Sequence, residues 1–205
     1  MCGQFEAQIF ANKLMDEMRL EGPAETQIVK PTLGASCIIA NPDHGGIEMA
    51  TMRFGLVPLW YRKSIRDWTA TTFNARIEEV ASKATFKGAW RYRRCVVPAK
   101  AFFEWSGPKS DRVKWRITRA DNQPLAFAGI WDQADVLEGE VFSFSLLTRA
   151  AGADMSAIHT REPVVIGPDH WEDWMRMRPV NLTASTPLRL TRIDEGKSGQ
   201  TLSLF

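Results

Sequence analysis

The chain has 205 residues, 44% of them hydrophobic, enough to bury one substantial core, and no repeat or low-complexity run divides it. Its 26 basic and 24 acidic residues leave a formal charge of +2, which excludes a bulk polycation, so any affinity for nucleic acid depends on where the charges sit. Cys2, Cys37 and Cys95 are too few and too scattered for a disulfide framework, no Cys-x-x-Cys pair accompanies His44, His159 and His170, and no apolar run suits a secretory or membrane segment. These features predict a cytoplasmic protein without metal, cofactor or membrane contact.

In chain order, Phe5, Ile9, Phe10, Leu14 and Met18 fall near helical spacing and predict an amphipathic helix over residues 5–20, ended by Gly22-Pro23. Short runs rich in β-branched and aromatic residues then predict strands over 36–40, 48–57, 94–97, 101–105, 113–119, 125–131, 141–148 and 163–166. Asn41-Pro42-Asp43 and Ser106-Gly107-Pro108 read as turns between them. Helical pieces are expected after Asn74, over 77–82, and again over 169–177. The pattern is that of a single α+β domain, with helices flanking a mainly antiparallel, curved sheet.

Cys2 carries a chemistry that no internal cysteine offers. Once Met1 is removed, its α-amine and its thiol, with ordinary pKa values near about 8 and 8.5, sit on one residue. The amine can condense with an aldehyde to an imine, and the thiol can close a five-membered thiazolidine ring on the same carbon. Phe102-Phe103-Glu104-Trp105 places a carboxyl among aromatic rings, where poor solvation of the charged form favours a general acid near neutral pH; a solvent-facing or arginine-paired glutamate is the alternative. Asn74, in Thr72-Phe73-Asn74-Ala75-Arg76, reads equally as a polar site residue or as a helix N-cap. His159 lies beside Arg161, a pairing that can present an imidazole to an oxygen substituent while a guanidinium holds a phosphate. Basic residues interleave with aromatics in Trp60-Tyr61-Arg62-Lys63, in Arg66 and Trp68, and from Lys87 through Trp90-Arg91-Tyr92-Arg93-Arg94, a composition that suits a nucleic-acid surface or a solvated strand edge.

Taken in order, Met1-Cys2-Gly3-Gln4-Phe5, Phe54-Gly55-Leu56-Val57-Pro58 followed by Trp60, Asn74-Ala75-Arg76, Phe103-Glu104-Trp105, Leu147-Thr148 and His159 resemble the SOS response-associated peptidase (SRAP) family, from Cys2 to about Met177. The resemblance implies the SRAP fold, a barrel-like curved sheet with flanking helices, over residues 1–192. It implies a sensor in the DNA damage response that captures abasic sites in single-stranded DNA through a thiazolidine at Cys2, after Met1 is trimmed. Carried over by position, Cys2 is the nucleophile, Asn74 orients the amine or the sugar oxygens, Glu104 shuttles protons for ring opening and imine formation and can also assist slow reversal, and His159 steadies and protonates the departing ring oxygen. Arg76 and Arg161 hold phosphates, Thr148 helps bind the strand, and Trp60 and Trp105 stack beside the lesion, with core packing the alternative for both tryptophans.

The chain departs from the family pattern at Gln4, where an arginine is usual, and over residues 27–31, where Gln-Ile-Val-Lys-Pro replaces Tyr-Asn-Val-Ala-Pro. Glu162 adds a negative charge next to Arg161, expected to weaken that phosphate contact. The last residues, 193–205, are expected to form a tail in which Gln200, Leu202, Leu204 and Phe205 resemble a peptide that docks on the replication sliding clamp, or else a last strand of the sheet. A monomer associated with the nucleoid is expected. Other readings of the same residues are a cysteine peptidase or autoprotease acting before Cys2, an N-terminal-nucleophile glutamine amidotransferase, which also opens with Met-Cys-Gly, and a non-covalent reader of modified bases.

Overall fold

The computed structural model describes residues 2–7, 26–41 and 45–193. Its strands are β1 (Phe5–Ala7), β2 (Gln27–Val29), β3 (Gly34–Ala40), β4 (Ile47–Phe54), β5 (Asn74–Arg76), β6 (Arg94–Ser106), β7 (Val113–Arg119), β8 (Leu125–Val136), β9 (Gly139–Ala150), β10 (Arg161–Pro163) and β11 (Leu188–Ile193). Among the described residues two short helices, α1 (Lys87–Tyr92) and α2 (Trp171–Met175), flank them, with 3-10 turns at Ile65–Asp67 and Pro168–His170.

All strands belong to one sheet. β9 pairs with β8 and β4, β4 with β3, β3 with β6, and β6 with β8, so these five close into a ring. Pairing is antiparallel except where β4 and β5 run parallel to β9. The α+β domain with a curved, barrel-like sheet is therefore the observed architecture. Closure is tight at Gly129, which opposes Cys95 on one side and Leu146 on the other. A Cβ there would sit 2.7 Å from the Cys95 sulfur, so only glycine fits.

Strand alternation divides the core in two. Cys37, Ile39, Cys95, Val97, Phe127, Phe144 and Leu146 pack together in one cluster, which also takes in Cys2 and Phe5. The alternate residues Ile38, Val96, Ala126 and Ala128 pack beneath Phe86 and Ala89 on one side and Trp171 and Trp174 on the other, in a second cluster. With both faces covered, the strands read as near-continuous apolar runs.

Several expectations change. Phe5–Ala7 is a strand rather than the start of a helix, because these residues pair with β2 on one side and β6 on the other; the remainder of the helix expected over 5–20 lies outside the described residues. The segments expected at 94–97 and 101–105 are one strand. Pro98, which has no N–H to donate, sits where the edge of β6 passes from β3 to β1, so no ladder bond is lost. Residues 77–82 form turns instead of a helix, with the Val80 N–H donating to Arg76 O at 2.9 Å, and regular helix begins only at Lys87. Strands β2, β5 and β11 were not expected. Strand β11 pairs with β7 along its whole length through Ile193, the first residue of the expected tail, and the clamp-like peptide 200–205 lies outside the described residues.

Candidate functional site

The position of Cys2 follows from Phe5. Phe5 is wholly buried, edge-on to Phe54 at 5.4 Å and to Phe127 at 5.9 Å, and opposes Phe102 across the β1–β6 ladder. The Phe103 N–H donates to Gln4 O at 2.9 Å, so the residues before Phe5 run antiparallel along the Phe103–Ser106 end of β6. Cys2 is 1% exposed, with its sulfur 3.8 Å from Gln4 O. Burial pushes the Cys2 thiol far above its ordinary value of 9.0, and the charge of Glu104 pushes it further in the same direction. Glu104 lies on the face of β6 that carries Phe102 and is 3% exposed, a carboxyl next to the thiol in a desolvated place.

Asn74 joins this pair from another strand. It is residue one of β5, opposite Leu146 of β9, and not a helix cap; its Nδ2 donates to Cys2 O at 3.0 Å. Its Oδ1 is buried and has no hydrogen-bond partner among the described residues, an acceptor held ready beside the Cys2 backbone. Arg76, two residues on, shares that face of β5. Its guanidinium is half exposed and contacts Glu79 at 3.2 Å, and Glu79 is also paired with Lys83 at 2.6 Å.

His159 ends the loop between β9 and β10. Its Nδ1 lies 2.9 Å from both the N and the O of Arg161. The neutral ring accepts from that N–H and carries its proton on Nε2, whereas the protonated ring can donate from Nδ1 to that carbonyl, so one anchor serves both states. A buried ion pair straps the loop. Glu162 accepts from Arg149 at 3.0 and 2.5 Å and from the Gly152 N–H at 2.9 Å, while Arg149 also donates to Ala184 O at 2.6 Å.

Glu162 thus faces Arg149, and the carboxylate that meets Arg161 is Glu78. Arg161 donates to both Glu78 oxygens at 2.9 Å, and also to Thr148 O at 2.7 Å and Thr148 Oγ1 at 3.4 Å. This fork holds the Glu78 carboxyl below its usual range, the Arg161 hydrogen bond being the largest cause. Thr148 itself is fully buried.

The two tryptophans part company. Trp60 is 58% exposed and stands edge-on to Trp68 at 6.1 Å, a free ring face on the surface. Trp105 alternates away from Glu104, opposes Lys114 across the β6–β7 ladder and has the Lys114 ammonium 5.6 Å from its ring, so it is not gathered with Cys2, Asn74 and Glu104. Glu78, Arg149 and Glu162 as a strap, and Asn74 as a strand residue, escaped the sequence reading. Charges inside short strand-like runs were the available signal. Among the described residues no group of three His, Cys, Asp or Glu side chains is placed to hold a metal, and no helix is long and apolar enough to cross a membrane.

A ring-closed sheet that buries a cysteine near the amino terminus against an asparagine and a glutamate from separate strands defines a class of protein. The chain belongs to the SOS response associated peptidase (SRAP) family, whose description matches residues 1–196. It is 32% identical over 147 residues to the abasic site processing protein YedK of Escherichia coli, covering 70% of this chain and 62% of that one. The abasic site processing protein YMR114C of Saccharomyces cerevisiae is 26% identical over 162 residues, and the match spans 78% of this chain but only 43% of the yeast protein. Among solved structures, a protein from Bordetella bronchiseptica matches with a TM-score of 0.79 at 25% identity, over 94% of this chain and 100% of that chain.

Proposed function

We propose that this protein processes abasic sites in DNA by covalent capture, with Cys2, exposed as the amino terminus by removal of Met1, forming a thiazolidine with the ring-opened sugar in a single strand. The observation that carries this reading is the convergence of Asn74 and Glu104, from two different strands, on Cys2. The naming of relatives such as YedK as abasic site processing proteins supports the choice of lesion.

The chemistry follows from the placement of each group. An abasic sugar is mostly a closed hemiacetal, so its ring oxygen must gain a proton as the C1 hydroxyl loses one. His159, anchored through Arg161 in either protonation state, supplies the first, and Glu104 takes the second. The freed amine adds to the aldehyde, water leaves, and an imine remains. Asn74 Oδ1 accepts a hydrogen bond from the amine and directs the nitrogen lone pair at the carbonyl carbon. The sulfur then bonds to the imine carbon while the thiol proton passes through Glu104 to the nitrogen. A thiol kept neutral by burial suits this order, in which the amine attacks first, better than a peptidase that attacks with a thiolate. Arg76 and Arg161 hold phosphates, Arg161 by exchanging Glu78 for the strand, with Thr148 shaping the floor and Trp60 offering a stacking face.

The test mixes Met1-free protein with single-stranded DNA carrying one abasic site and follows adducts on denaturing gels. The expected product has the summed mass of protein and DNA less one water and is absent for Cys2→Ala. An adduct of unchanged yield from protein acetylated at its amino terminus refutes the proposal.

A further inference from the structure

At the far end of β6 from Glu104 the molecule carries a second basic feature that the chemistry at Cys2 does not use. Helix α1 and the residues after α2 enclose a cleft of about 610 Å³ lined by Lys87, Trp90, Arg91, Tyr92, Arg94 and Met177. It continues past Tyr92 and Arg94 into a neighbouring hollow lined by Arg93, Arg176 and Arg178. Among the described residues no carboxylate lines either one.

The charges differ in how far they are already satisfied. Arg93, Arg176 and Arg178 are paired with Asp132, Glu172 and Asp173 at 3.0, 2.7 and 2.8 Å. Lys87, Arg91 and Arg94 have no carboxylate partner among the described residues. Arg94 is fixed without one: its guanidinium lies 4.7 Å from the Trp90 ring and 4.4 Å from the Trp174 ring, and it donates to Trp90 O and Arg178 O at 3.3 and 3.5 Å. Its remaining amino group is left for the cleft. Tyr92, 58% exposed, stands at the junction of the two hollows with the Arg91 guanidinium 5.2 Å from its ring.

We propose that this cleft is a second contact for single-stranded DNA, in which Lys87, Arg91 and Arg94 take backbone phosphates and Tyr92 stacks a base, remote from the strand segment held at Cys2. Cations without a carboxylate partner attract phosphates, and a ring face between them suits an unpaired base; a membrane surface would need neither the concavity nor the ring. The proposal rests on the reading above only in taking DNA as the target, and not on the chemistry of Cys2.

The test compares binding of undamaged single-stranded oligonucleotides by fluorescence anisotropy, one short enough to fill a single site and one long enough to reach both, for wild type and for K87E/R91E. Melting curves establish that these exposed substitutions leave the fold intact, and K87Q/R91Q provides a charge-neutral second variant. The charge reversal is expected to weaken long-strand binding by about tenfold or more and to lower its salt slope by about 1.4, roughly 0.7 for each of the two phosphates no longer neutralised on a single strand. Binding of the short strand, read at the Cys2 site, is expected to stay near wild type, and Tyr92→Ala to weaken the long strand alone. Equal losses for both lengths, or none, overturn the proposal, as does wild-type DNA binding accompanied by lost retention on phosphatidylglycerol vesicles. Because undamaged DNA is used, failure of capture at Cys2 leaves this comparison readable.

Discussion

Glu162→Ala tests the strap that holds the His159 loop. The substitution removes the acceptor of two Arg149 bonds, at 3.0 and 2.5 Å, and of the Gly152 N–H, at 2.9 Å. It leaves a guanidinium only 8% exposed, with one bond to Ala184 O and no counter-charge. Removing one member of a buried pair costs about 3–5 kcal/mol, a large part of the ~5–15 kcal/mol that holds a domain folded. At about 2–4 °C per kcal/mol for a chain of this length, the melting temperature should fall by roughly 6–20 °C in a calorimetric or circular-dichroism scan. Because Gly152 opens the loop that ends at His159, capture of abasic DNA should slow even well below the new melting point. The double change Arg149→Met with Glu162→Leu should recover most of the stability, since an apolar pair of similar volume replaces the ions at little or no cost. A fall of less than about 3 °C for the single variant, or a double variant no better than the single, would refute the reasoning.

Other consequences can be measured directly. Asn74→Ala removes the 3.0 Å bond to Cys2 O and should cost about 1 kcal/mol in urea unfolding while slowing adduct formation about five- to tenfold; an unchanged rate would remove Asn74 from the site. Glu78→Gln breaks the charge pairing that occupies Arg161 and should tighten binding of undamaged single-stranded DNA several-fold, an effect visible in the salt dependence of affinity. The wild-type Glu78 pairing is stabilising above the ordinary glutamate value of 4.5, and because its carboxyl is held lower in the fold, that contribution disappears as pH falls through the depressed value. The buried Cys2 and Cys37 thiols are raised in the fold, so they favour folding below the ordinary thiol value of 9.0 and withdraw that support as pH climbs past it. Stability measured by urea titration should therefore fall from about pH 9 upward, and alanine at both positions should flatten the decline.

Much of the sheet was legible because its signals are local. Val113–Arg119 alternates apolar with polar or charged residues between β6 and β11 and was read to its ends, while the β-branched runs inside β3, β4, β8 and β9 marked those strands but not their limits. What escaped depended on partners far along the chain. Three residues of Phe5–Ala7 carry no strand period, and the apolar spacing behind them suggested a helix; the β2 and β6 edges decide otherwise. Asn74 has the composition of a cap and becomes a strand residue because β9 offers it a parallel edge. At the site, the pairing of Cys2 with Asn74 and Glu104 was readable only by resemblance to a family, since nothing in the local sequence brings those positions together. The adjacency of Arg161 and Glu162 misled in the opposite way: neighbouring residues on a strand point to opposite faces, so the glutamate next in sequence meets Arg149, and one from the turn after β5 meets Arg161.

Phe5 sets a limit on the reagent it anchors. Locked among Phe54 and Phe127, it leaves the sulfur-bearing residue a leash of only three peptide units, roughly 10 Å even when fully drawn out. A warhead on so short a tether cannot probe inside a stacked helix. Under the capture proposed above, the damaged nucleotide has to be carried to it, so the bending and threading of the DNA strand, more than the reach of the protein, should govern which lesions are caught.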